Sequence, residues 1–471
     1  MDVFTVATAV TALSATVAIV VYLLLSHHLT TQSSSWPKTK QSLAYIQKVV
    51  PKKKKIQTPL NSLNDFIPVG EATAVHDVVQ LFVRRGNEFS VYSIDWEQEV
   101  VVLIRPVDGA DLKTHPFFRE AQRRKAVEVL CVPLERLQDV ASAVADEVAH
   151  VQEVFIFMTA RCGSTLVTRL VEATSVAQAV CEDDVFSVIH MAVHRLKRSY
   201  QQGRTPPHHS CYTLLSNEES TIGLLRNVVT LLNYNLVTSD PRHRHVIFYK
   251  FMPDVILLAD LMARAFPSAK TVFMYRNGLE VSESLLRPYV QQWHVRYVAY
   301  RAMTRLGFGR LVSHTAQADH AQCFGDDPKF SQVHYRGSGF FDLFTLWVGV
   351  MDCAADLQRK QPEHFFHAVI HYSDLVNNKE KTFRLLMKNL GLKWSPEDPG
   401  EDKDKIERAL VEDSQAGTVL SAKGRRPGEK WEPDVSPRWV GQWEREYFEE
   451  VCRHAGNEIP GPDFLLPDTI V

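Results

Sequence analysis

Anion-binding side chains stand at the ends of several apolar runs in this sequence. In the stretch Val154 to Thr174, Val-Phe-Ile-Phe-Met-Thr leads into Ala-Arg-Cys-Gly-Ser-Thr, then into Leu-Val-Thr-Arg-Leu-Val-Glu-Ala-Thr. The first run has strand length, and Leu166, Val167, Leu170 and Val171 recur at helical spacing. A strand, a tight loop and a helix can cradle a phosphate-like anion, because loop amides and the helix start present N–H groups together. Gly163 lets the backbone approach an anion, and Arg161 adds a full charge. Ser164 and Thr165 stand where a helix start favours hydroxyls. The same residues also suit a buried strand feeding a surface helix, with the hydroxyls acting only as caps.

Three further strand-like runs end in charge. Ser175 to Cys181 leads to Glu182, Asp183 and Asp184; His245 to Lys250 is followed by Pro253; Lys270 to Arg276 precedes a helix carrying Ser282 and Ser284. Ligands of open parallel sheets bind beyond the carboxyl ends of the strands, so these groups would share one crevice with Arg161. The plain alternatives are helix-start acids, a solubilising Lys and an Arg salt bridge with a Ser cap. A triphosphate loop, G-x-x-x-x-G-K-S/T, would need a Lys where Gly163 stands. His208, His209 and Cys211 have poor metal-ligand spacing.

Strands alternating with helical runs predict an α/β fold with a central parallel sheet and crossover helices. Ahead of it, residues 61–150 read as a small α/β region. It has a hairpin (Phe89–Asp95 with Val100–Val107), a helix over Phe117–Lys125, a strand over Val127–Val132 and a helix over Leu134–Val148. No catalytic constellation is visible there. Residues 287–338 break the alternation and suit a lid or acceptor-binding insertion within a domain spanning 151–471.

The chain has 471 residues and a net charge of −2, so no nucleic-acid partner is expected and any basic site is local. Seven dispersed Cys without a CxxC form neither a disulfide framework nor a zinc site. Val3 to Leu25 is 23 residues without charge, which predicts a transmembrane anchor over residues 1–28 and a stalk over 29–60. The Lys-rich flank after the span and the lack of an Asn-x-Ser/Thr acceptor lean against a luminal domain.

Taken in order, these segments resemble the sulfotransferase superfamily over residues 150–455. The donor of that family is 3′-phosphoadenosine 5′-phosphosulfate (PAPS). Arg161-Cys-Gly-Ser-Thr165 is similar to its 5′-phosphosulfate loop, and Tyr275-Arg276-Asn277 through Ser284 to its 3′-phosphate motif. Lys250 with Pro253 resembles the strand-end Lys before the acceptor site, and Tyr372-Ser-Asp-Leu through Leu390-Gly-Leu the late strand–helix unit. Soluble members carry a Lys in the first loop and a His beside the second strand end. Here Arg161 takes the first place, with Phe251 and Met252 in the second. The Arg form looks more like Golgi-type enzymes, tyrosylprotein sulfotransferases included, in which a Glu after the second strand is the base. Glu182 fits that place, with Asp183 as the alternative, and Lys423 and Arg425 stand where the family has a basic 3′-phosphate clamp.

The resemblance implies a three-layer P-loop-like fold and PAPS as co-substrate with no metal. It implies donor contacts from Arg161, Cys162, Gly163, Ser164, Thr165, Arg276, Ser284, Lys423 and Arg425, and catalytic roles for Glu182, Lys250 and Arg161. It also implies a hydroxyl acceptor on a glycan, protein or small metabolite, and a Golgi membrane location. The rival readings are a non-catalytic binding or scaffold protein of the same fold and, less favoured, an ATP-dependent kinase.

Overall fold

A computed structural model describes residues 43–53, 60–203, 214–309, 318–361, 365–395, 403–416, 438–456 and 458–470, together with Trp36, Glu397, Thr418 and Ser421. Two sheets organise them. The first is antiparallel, with strands β1 (Ala44–Pro51), β2 (Phe66–Val75), β3 (Ser90–Asp95), β4 (Val100–Pro106) and β5 (Ala126–Pro133) in the order β2-β1-β5-β4-β3. The expected hairpin is β3–β4, and the helix Phe118–Lys125 precedes β5 as anticipated. The expected helix over 134–148 is broken into three short turns.

The stalk expectation needs correction. Residues 44–51 are not linker but β1, paired on both sides, with Ala44, Tyr45, Gln47 and Val49 buried. The Lys residues around the strand masked its alternation, and the buried amide of Gln47 is satisfied by the Val69 carbonyl at 2.9 Å. The small α/β region therefore begins near residue 43 rather than 61.

The second sheet contains β6 (Gln152–Met158), β7 (Ala177–Cys181), β8 (Val246–Lys250), β9 (Lys270–Tyr275), β10 (Ala368–His371) and β11 (Thr469–Ile470), ordered β11-β10-β9-β6-β8-β7. All of its neighbours run parallel, as the alternation predicts. One face (Phe155, Phe157, Tyr249, Phe251, Phe273) joins a core that continues through the antiparallel sheet. The other (Val154, Ile156, Met158, Phe248, Val272) packs on the helices Ser164–Ala173 and Lys379–Asn389. Burial on both faces explains why these strands read as continuous apolar runs rather than alternating ones.

From β6 the chain passes to β7 and β8 on one side, then crosses to β9 and β10 on the other. That reversal opens a crevice beside the carboxyl end of β6, the usual ligand position in such sheets. The helix Glu218–Ser239 locks the two sheets together: the rings of Tyr234 and Phe82 lie 5.8 Å apart, and Asn235 donates to the Asn87 carbonyl at 2.7 Å. Among the described residues no helix is long and apolar enough to cross a membrane, and the expected span, Val3 to Leu25, lies outside the described residues.

Candidate active site

The turn after β6 is built on left-handed backbone: φ is +64° at Ala160, +49° at Arg161 and +81° at Gly163. A Cβ on Gly163 would lie 2.7 Å from Leu375 Cδ2 and 3.3 Å from the Tyr372 ring, so this position needs glycine on two counts. The helix Ser164–Ala173 starts directly after it; the amides of Leu166 and Val167 donate to the Gly163 carbonyl, and those of Ser164 and Thr165 precede any helical carbonyl. The side chain of Ser164 turns to Met158 Sδ at 2.8 Å instead of capping. Cys162 is fully buried, its side chain packs in the core and it does not line the pocket at the crevice.

Arg161, Gly163, Ser164, Thr165, Glu182, Lys250 and Arg276 line one pocket at the crevice. Lys250, at the end of β8, donates to Glu182 Oε1 at 2.5 Å and to Thr165 Oγ1 at 3.1 Å. Arg161 Nε donates to Ser284 Oγ at 2.8 Å. Arg276 Nε bonds Glu280 at 2.6 Å, its NH1 reaches the Arg161 carbonyl at 3.4 Å, and its guanidinium lies 4.0 Å over the ring of Tyr372. The expected 5′-loop, strand-end Lys and 3′-motif residues thus meet in one place. Lys423 and Arg425 lie outside the described residues.

Five cations (Arg119, Arg161, Lys250, Arg276, Lys379) and three acids (Glu182, Glu412, Asp413) line the pocket, leaving an excess of positive charge that suits an anion. Burial, then the Arg276 cation, push Arg161 down to about 10, so an anion between the two arginines would relieve both effects. Glu182 has φ +59° and a buried carboxyl. Burial works to raise its pKa, but Lys250, Arg119 and Arg161 outweigh this and hold it below the usual range. Burial likewise works to lower Lys250, and Cys181 with Glu182 outweighs that, so the ammonium is held charged.

Asp183, the alternative base, is excluded. It does not line the pocket, and one of its buried oxygens has no hydrogen-bond partner. Burial, with Asp184 adding to it, pushes its pKa well above the usual carboxylate range. Phe251 packs among Phe155, Phe157 and Phe186, so no imidazole-like base occupies that place either.

The sequence reading assigned no site role to three contributors, Tyr372 among them although its segment was noted. Arg119, from the antiparallel region, donates to Asp184 at 2.7 Å and stands 3.9 Å from Glu182. Gln415 accepts from Arg161 NH1 and donates to Thr165 Oγ1 at 3.4 Å. Tyr372 supplies the ring beneath Arg276. Only Tyr372 carried a signal, its place right after a predicted strand.

Residues 153–336 match the model of a sulfotransferase family, a span that runs from β6 past Ser284 and holds Arg161, Glu182, Lys250 and Arg276. Over this stretch, less than half of the chain, the sequence is similar to that sulfotransferase family. No curated protein matches the chain in sequence.

Solved structures similar to this chain include a sulfotransferase of Mycobacterium tuberculosis H37Rv, at 15% identity over 58% of this chain and 77% of that one, TM-score 0.29. Another is the sulfotransferase domain of the Synechococcus PCC 7002 olefin synthase, at 14% identity over 66% and 96%, TM-score 0.30. Retinol dehydratase in complex with retinol and PAP, at 14% identity over 58% and 68%, has a TM-score of 0.22. At these values the likenesses add nothing to the family match. Among the described residues no group of His, Cys, Asp and Glu could hold a metal ion.

Proposed function

We propose that this protein is a sulfotransferase that moves the sulfuryl group of PAPS onto a hydroxyl of a glycan, protein or small metabolite, using the crevice beside β6. The observation that carries this reading is the meeting of Arg161, Lys250 and Arg276 with the glycine loop at one carboxyl edge of the sheet. Charge develops on the leaving 5′-phosphate, and preorganised donors there provide most of the stabilisation. Arg161, Lys250 and the amides at the start of the helix Ser164–Ala173 are those donors in this reading. Arg276, braced by Tyr372 and Glu280, offers a planar fork to the 3′-phosphate, while Ser284 accepts from Arg161 Nε rather than from Arg276. Glu182 is the general base, its carboxylate ionised and within the same pocket.

The proposal extends to the membrane. Val3 to Leu25 is uncharged over 23 residues and would anchor the domain, in the Golgi if the resemblance to the membrane-type enzymes holds. Protease protection in sealed vesicles reads which side the domain faces.

Calorimetry with 3′-phosphoadenosine 5′-phosphate (PAP), with ATP and adenosine 5′-phosphate as controls, tests the donor site. PAP should bind in preference to both. Arg276→Ala should weaken PAP while leaving adenosine 5′-phosphate nearly unchanged. Equal weakening of the two would remove the 3′-phosphate assignment, and a preference for ATP would remove the donor.

A further inference from the structure

Arg119 lies on the helix Phe118–Lys125, outside the span that matches the sulfotransferase family. Its NH1 donates to Asp184 Oδ1 at 2.7 Å and lies 3.8 Å from Met252 Sδ, while NH2 stands 3.9 Å from Glu182 Oε2. The second oxygen of Asp184 accepts from the Asn61 amide at 3.0 Å. Both oxygens of Asp184 are therefore held by the antiparallel region, and the strand end that carries Glu182 is docked on it.

Each oxygen of Glu182 faces a different cation, Lys250 at Oε1 and Arg119 at Oε2. The two cations have different second partners. Lys250 also touches Thr165 in the anion loop, so a phosphosulfate arriving there competes with Glu182 for it. Arg119 is tied instead to Asp184.

We propose that Arg119 is a positioning residue for sulfuryl transfer: when the donor draws Lys250 onto the leaving phosphate, Arg119 keeps the Glu182 carboxylate aimed at the acceptor. The antiparallel region is then part of the active site rather than an accessory to it. This rests on Glu182 being the base. In the step itself, the acceptor oxygen forms a bond to sulfur and its proton passes to Glu182 Oε1, the oxygen Lys250 has left. The bond between sulfur and the 5′-phosphate oxygen breaks, and its electron pair stays on the phosphate, facing Lys250 and Arg161.

The charged and titratable groups facing Glu182 are Lys250 on β8, Arg119, Arg161 on the loop, Cys181 on β7 and the adjoining Asp183 and Asp184. Removing Arg119 takes away one of the cations that hold the carboxylate ionised, so the acid limb of activity should move to higher pH.

The test uses the full chain, radiolabelled PAPS, and water plus a panel of phenolic, sugar and alkyl hydroxyls as acceptors. Arg119→Met should lower turnover about 10- to 100-fold, as misplacing a reacting group does. Its acid limb should rise by about one pH unit. PAP affinity should stay unchanged, and Arg119→Lys should restore the acid limb and part of the turnover. If Arg119→Met does not fold, Arg119→Gln, which keeps a donor toward Asp184, reads the same quantities. Unchanged turnover and acid limb, with Glu182→Gln inactive, would overturn the role of Arg119 and leave the base intact. An active Glu182→Gln would overturn the base reading and this inference with it. A loss of PAP affinity matching that of Arg161→Ala would make Arg119 a donor ligand, which also overturns the proposal.

Discussion

Glu182 and Asp183 are neighbours in the chain, both buried, and their carboxyl groups are pushed in opposite directions. Burial raises both. At Glu182, Lys250, Arg119 and Arg161 reverse the effect, whereas Asp183 has only the Val185 amide to oppose burial, and Asp184 adds to it. The signs for stability follow by linkage. The folded Glu182 value lies below the unfolded one of about 4.3, so its contribution is present above that pH and is lost as pH falls through the lower folded value. The folded Asp183 value lies above its unfolded one of about 3.9, so stability is fullest below that pH and is lost as pH rises through the folded value. Glu182→Gln leaves Lys250 and Arg119 without their shared carboxylate and should destabilise by about 3–5 kcal/mol at neutral pH, less on acidification. Asp183→Asn should stabilise at neutral pH, with the gain gone by about pH 4. Urea midpoints of both variants between neutral and acid pH check the pair, and parallel trends would contradict the opposed assignment.

The same comparison shows what single residues reveal in sequence. Arg161, Lys250, Arg276 and Glu182 were legible because each follows an apolar run, where parallel-sheet sites gather. Arg119 was not, because Arg123, Arg124 and Lys125 on the same helix look alike in sequence and only docking selects one. Gln415 sits in a polar segment without periodicity, so nothing in the sequence marked it.

Among elements, legibility followed burial. β6, β8 and β9 are buried on both faces and announce themselves as unbroken apolar runs. β1 is half-buried with Lys on its open side and passed for a tether, and β11, two residues long, is too short to show a period. The helix Gly278–Tyr289 was expected to carry Ser282 and Ser284, yet its buried Glu283 does structural work. That carboxylate accepts from the amides of Arg438 at 2.8 Å, Trp439 at 2.7 Å and Val440 at 3.0 Å, and pairs with Arg287. It thereby fixes where the chain re-enters ahead of the closing helix Gln442–Ala455. Hydrogen bonds to a charged acceptor contribute about 1.5–3 kcal/mol each. Glu283→Ala should therefore loosen the closing helix before the rest of the fold. Hydrogen exchange should show faster amide exchange over 438–455 with the central strands still protected, and uniform exchange throughout would contradict the local role.

At the scale of the whole molecule, the antiparallel sheet and one face of the parallel sheet share a continuous core. Tyr45 and Val49 of β1 lie in it together with Phe155 and Tyr249 of the parallel sheet. Partly buried ion pairs reinforce the join: Lys113 reaches Asp240 at 3.4 Å and Glu172 at 3.7 Å, and Arg119 reaches Asp184 at 2.7 Å. Shared burial of this kind makes folding of the two parts cooperative, so the boundary chosen for a shortened chain decides its fate. Lacking residues 1–42, the protein keeps every described strand and should be soluble, cooperative in unfolding and able to bind PAP. Lacking residues 1–60, it loses β1, which lies between β2 and β5, and exposes unpaired edges on both. Starting at residue 151, it keeps the family-matched span but loses Arg119, the Asp184 clasp and the antiparallel part of the shared core. Calorimetric melting and PAP titration of the three chains separate the cases. Only the first should melt in a single sharp transition and bind, and a chain from residue 151 that did both would show that the transferase domain stands alone.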